Sequence, residues 1–130
     1  MDKISDQDEY EEIDPPIVNR VAVTVKFKTP YLEWANNLPD NGGMTVTLED
    51  LNRSPNVYLI PSYETTSSIE RFLQKVKPQI FEQQLNGWCT EPNWWPKNRS
   101  AREFNKWFDV EICEMVFDLV ENDSLGHEEY

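Results

Sequence analysis

Three of the five tryptophans of this 130-residue chain stand in one proline-punctuated stretch, Gly87-Trp88-Cys89-Thr90-Glu91-Pro92-Asn93-Trp94-Trp95-Pro96-Lys97-Asn98-Arg99, and a fourth, Trp107, follows close behind. Aromatic planes beside cations are the parts of a stacking site. Indole faces hold a planar group, Lys97 and Arg99 attract an anionic one, and Asn98 adds directional hydrogen bonds. The candidate ligand- or partner-binding set is therefore Trp88, Trp94, Trp95, Lys97, Asn98 and Arg99. The same residues also suit a structural lid, with the tryptophans plugging the end of a sheet and Arg99 paired with a carboxylate such as Asp109 or Glu111.

A second set of chemically able residues is acidic: Asp109, Glu111, Glu114 and Asp118. Carboxylates do acid and base work when a cleft holds them close and drives their pKa values apart. On a regular strand Asp109 and Glu111 share one face and Glu114 and Asp118 the other, so a common site needs a bulge. Cys89 near Lys97 or Arg99 has the parts of an activated thiolate. These groups define an alternative reading, a small-molecule enzyme using Cys89 or the strand carboxylates, with Arg99 as substrate anchor.

Little else supports catalysis. The single histidine, His127, lies in an acidic tail, no cysteine and histidine spacing suits zinc, and neither an EF-hand loop nor a Gly-rich phosphate loop occurs. No serine or cysteine has an evident histidine partner. No catalytic residue, metal or cofactor is assigned, and the reading leans away from an enzyme.

The formal charge of −12 divides unevenly. Residues 1–15 carry −6 and residues 121–130 carry −4, which leaves a body, 16–120, at only −2. A nucleic-acid binder needs a basic face, and none is present, so direct binding to DNA or RNA is not expected. An acidic nucleic-acid mimic is a further alternative, but the excess lies in segments with few apolar residues to order them. The expected organisation is an acidic flexible leader over 1–15, one domain over 16–120 and an acidic flexible tail over 121–130. No apolar run reaches membrane-spanning length, the first residues are acidic where a signal peptide is basic, and two cysteines are too few for a disulfide scaffold. A cytoplasmic protein is expected, with no membrane association.

Periodicity then places these residues on elements. Val21, Val23, Val25 and Phe27 alternate with Ala22, Thr24, Lys26 and Lys28, a half-buried strand near 20–28. Thr29 as cap and Pro30 at the first position open a short helix with apolar Tyr31, Trp34, Ala35 and Leu38. Thr47 caps a helical turn. The run Val57-Tyr58-Leu59-Ile60, set between Pro55 and Pro61, predicts a strand near 56–60 buried on both sides. Ser67 and Glu70 form a capping-box pattern before Ile69, Phe72, Leu73 and Val76, and Pro78 divides this helix from a further segment, as two helices or one kinked helix. Ser100 and Glu103 open a fourth helix. The closing strand, near 110–120, changes phase at Ile112-Cys113, which a β-bulge or burial on both faces would explain. The fold class is α+β, a small three-stranded sheet packed with about four helices.

The segments Val-Tyr-Leu-Ile-Pro, Asn-Gly-Trp-Cys and Trp-Pro-Lys-Asn-Arg resemble those of a family of short uncharacterised bacterial proteins, over roughly residues 19–120. That resemblance implies a bacterial cytoplasmic protein and carries over no activity, cofactor or catalytic residue. The function expected is that of a small non-enzymatic binding or regulatory protein, its partner another protein met through the aromatic and basic loop; the oligomeric state is left open.

Overall fold

Alternation of valine with smaller or charged residues makes β1, Arg20–Phe27, a two-faced strand. Val21, Val23 and Val25 are buried on one side, while Thr24 and Lys26 stand on the other. The computed structural model describes residues 16–39 and 41–128; the leader expected over 1–15 lies outside the described residues. β1 is the middle strand, flanked antiparallel by β2, Asn56–Pro61, and β3, Phe108–Cys113, in the order β2-β1-β3. The register sets Ile60 and Tyr58 beside Val21 and Val23, and Phe108, Val110 and Ile112 beside Phe27, Val25 and Val23. All three strands thereby turn one apolar face the same way.

The helices are α1, Thr29–Asn36; α2, Leu48–Leu51; α3, Thr66–Trp88; and α4, Ala101–Trp107. Their apolar residues meet that one face. Tyr31 and Ala35 of α1, Ile69, Leu73, Ile80, Phe81 and Leu85 of α3, and Phe104 and Trp107 of α4 form a single core with the inward residues of the sheet. Its centre is aromatic: the Phe104 and Phe108 rings stack at 4.7 Å, and Phe81 meets Phe108 edge-on at 5.3 Å. Such pairs add about 0.5–1.5 kcal/mol each beyond the area they bury. Two asparagines close the seams. Asn52 accepts from the Phe27 N–H and donates to its carbonyl, standing in for a strand partner where β2 has not begun, and Asn36 does the same for Val46.

Several elements differ from the sequence reading. β2 is an edge strand and is not buried on both sides: with every helix on the inner face, Val57 and Leu59 point outward and are 57% and 51% exposed. Its bracketing prolines suit an edge, where a missing N–H costs no ladder bond. The long helix starts earlier than its capping-box pattern suggests. Thr65 is the cap of α3, its hydroxyl accepting from the Ser68 N–H, two residues before the expected Ser67.

α3 runs unbroken for 23 residues with Pro78 inside it. The carbonyl of Gln74 loses its helical donor there, and Gln74 is exposed, so water can serve it. At α1, Lys28 takes the cap position without a side-chain bond and Thr29 is already helical. Thr47 and Asp50 complete a reciprocal capping box at α2. Ser100 accepts from the Glu103 N–H, but the Glu103 carboxylate turns to the Trp107 indole N–H.

β3 starts at Phe108, directly after α4, and its regular pairing stops at Cys113. Pairing resumes only at an isolated bridge, Ile17 with Phe117, where the N-terminal side carries one residue more than the C-terminal side. The change of phase seen in the sequence is this break in the ladder. Among the described residues no helix is long and apolar enough to cross a membrane.

Candidate functional site

The aromatic and basic loop is largely occupied with holding itself in place. A 3-10 turn, Pro92–Trp94, lies at its middle. Trp95 packs against the core and donates its indole N–H to the Cys89 carbonyl at 2.8 Å, while the Trp94 carbonyl accepts from the Trp34 indole at 2.8 Å. Arg99 bonds Glu82 on α3 at 3.1 Å and the Pro96 carbonyl at 2.7 Å, and its guanidinium sits 5.6 Å from the centre of the Trp95 ring. Its carboxylate partner is thus Glu82, where the sequence suggested Asp109 or Glu111. Asn98 accepts from the Ser100 N–H. Lys97 is exposed, and Trp88 and Trp94 are each 41% exposed.

The groups of the enzymatic alternative do not converge. Asp109 and Glu111 pair with Lys26 and Thr24 on the outer face of the sheet, opposite the helices. Arg99 is bound to α3 in the helical layer, and the Cys89 thiol points to the Glu91 carbonyl at 3.8 Å. Among the described residues no group of three or more metal-binding side chains occurs.

A concavity lies elsewhere among the described residues, between the free edge of β2 and α3. It is a groove of about 440 Å³. Tyr58, Leu59 and Ile60 form its strand wall; Phe72, Val76, Gln79, Ile80 and Gln83 form its helix wall, spaced so that they fall along one side of α3. No strand pairs with the outer edge of β2 among the described residues, so alternate backbone N–H and C=O groups there lack ladder partners.

A buried polar chain fixes the two walls. Gln84, the one buried polar side chain among the described residues, donates to the Tyr58 hydroxyl at 2.6 Å, and its backbone carbonyl accepts from the Tyr31 hydroxyl at 2.8 Å. Burial pushes the pKa of both tyrosines above the ordinary phenol value. Tyr31, kept neutral in this way, goes on donating to the Gln84 carbonyl while the Gln84 amide donates to Tyr58, which ties α1, α3 and β2 together.

No local sequence pattern announces this groove. Its walls come from segments that read as ordinary core, and only the bracketing prolines of β2 hint at an edge. Comparison with protein-family models, with curated proteins and with solved structures finds no match to this chain.

Proposed function

We propose that this protein is a non-enzymatic protein-binding module that takes up an extended peptide segment along the edge of β2, with alternate side chains of the peptide lowered into the groove against α3. The observation that supports this reading is the groove of about 440 Å³ beside an unpaired strand edge. Strand addition draws affinity from main-chain hydrogen bonds and selectivity from pockets that receive every second side chain. Gln79 and Gln83 on the rim offer amide groups for further bonds to a peptide backbone. A cytoplasmic setting, in a bacterium like the proteins it resembles, suits the two free cysteines, Cys89 and Cys113.

A second contact surface is favoured by the half-exposed indoles of Trp88 and Trp94. Selection of peptides from a random library against the full chain separates the two. Peptides with apolar residues at alternate positions, weakened at least about tenfold by Val76→Glu, support the groove; that loss corresponds to about 1.4 kcal/mol. Peptides indifferent to Val76→Glu but lost with Trp94→Ala would move the contact to the loop.

A further inference from the structure

Resting on the strand-addition reading, we infer that the groove receives residues 115–120 of a second copy of this chain. That segment is half-paired, with strand-type bonds around Phe117 and the Val120 N–H turned to the Asp118 carboxylate at 2.9 Å. It continues β3 past Cys113 and is held on one side only, by the Ile17 and Phe117 bridge and by the bond from the Asp118 N–H to the Pro16 carbonyl at 3.0 Å. Met115, Phe117 and Leu119 recur at every second position and are 61%, 49% and 78% exposed. Extended residues that alternate in this way share a face.

Length and charge match. From Phe72 to Gln83 the helix wall runs about 16 Å at 1.5 Å per residue, which five extended residues cover at about 3.3 Å each. At one end of the groove Phe72 also borders a second cavity, of about 200 Å³, lined by Arg71 and Lys75. The segment carries carboxylates toward both ends, Glu114 before it and Asp118 and Glu121 at and after its close, so an acidic group meets that basic end whichever way the segment runs.

Topology explains why the partner is another molecule. β3 and β2 lie on opposite flanks of β1, and residues 115–120 extend the β3 flank, so their free edge faces away from the β2 of the same chain. For the same reason the contact is head-to-tail and does not close at two copies.

Sedimentation velocity on the full chain tests this. The average mass is expected to rise past that of a dimer as concentration increases, and to fall again at high salt. Two variants at exposed positions block one side each: Gln79→Glu with Gln83→Glu sets carboxylates in the groove, and Met115→Asp with Leu119→Asp spoils the apolar face. Each alone is expected to shift assembly at least about tenfold upward in concentration. Mixed, they retain one good groove and one good segment, and should stop at a one-to-one dimer. A wild-type chain that stays monomeric throughout, or a mixture that does not pair, overturns the inference. Library peptides that still bind the groove would then leave the strand-addition reading standing, whereas their failure would remove that reading as well.

Discussion

The loop over residues 88–99 and the groove between β2 and α3 are opposites. The loop is rich in residues that do chemistry, yet Trp95, Asn98 and Arg99 are bonded within the chain. The groove is built from plain apolar side chains and glutamines, yet it leaves a strand edge and a concave surface without partners among the described residues. The difference teaches that a residue's chemical capacity matters for binding only when the fold has not already used it.

The largest expected effect separates the two tryptophans at the loop's centre. Trp95→Ala should destabilise the fold by about 3 kcal/mol, because it opens a space against the core and removes a hydrogen bond. Trp94→Ala should cost about 1 kcal/mol or less. Urea unfolding measures both, and equal costs would break the distinction between lid and surface.

Tyr31→Phe tests the polar chain behind the groove. Losing the donor to the Gln84 carbonyl should cost about 1–2 kcal/mol at neutral pH. The pH dependence has a definite sign. Burial raises the folded-state pKa of Tyr31 and Tyr58 above the unfolded value of about 10. Their contribution is whole below that pH and is lost as pH rises through the folded values, since the unfolded chain releases its protons first. Unfolding followed from about pH 9 upward should show this decline, and Tyr31→Phe should flatten it.

The smallest effects lie among the loop's cations. Arg99→Ala should cost about 1 kcal/mol through its bonds to Pro96 and Glu82 and its contact with Trp95. Lys97→Ala should change stability by less than about 0.5 kcal/mol.

Much of the fold was legible in the residues. The valine alternation marked β1, Thr47 and Ser100 marked helix starts, and the apolar repeat of Ile69, Leu73, Ile80 and Phe81 marked α3. Strand order was not, because periodicity records burial along one strand and says nothing of its neighbours. Val57 and Leu59 show the consequence: a run apolar at every position reads as buried on both sides, whereas here half of it faces outward from an edge. The groove depends on that order, so no local pattern could reveal it. The loop drew attention by composition alone, and composition does not record that Arg99 has Glu82 beside it.

Amide hydrogen exchange with and without a saturating library-selected peptide tests the central claim most directly. Slowed exchange confined to residues 58–60 and to the groove side of α3 is the expected result. Slowed exchange over residues 88–99, with β2 unchanged, would contradict it.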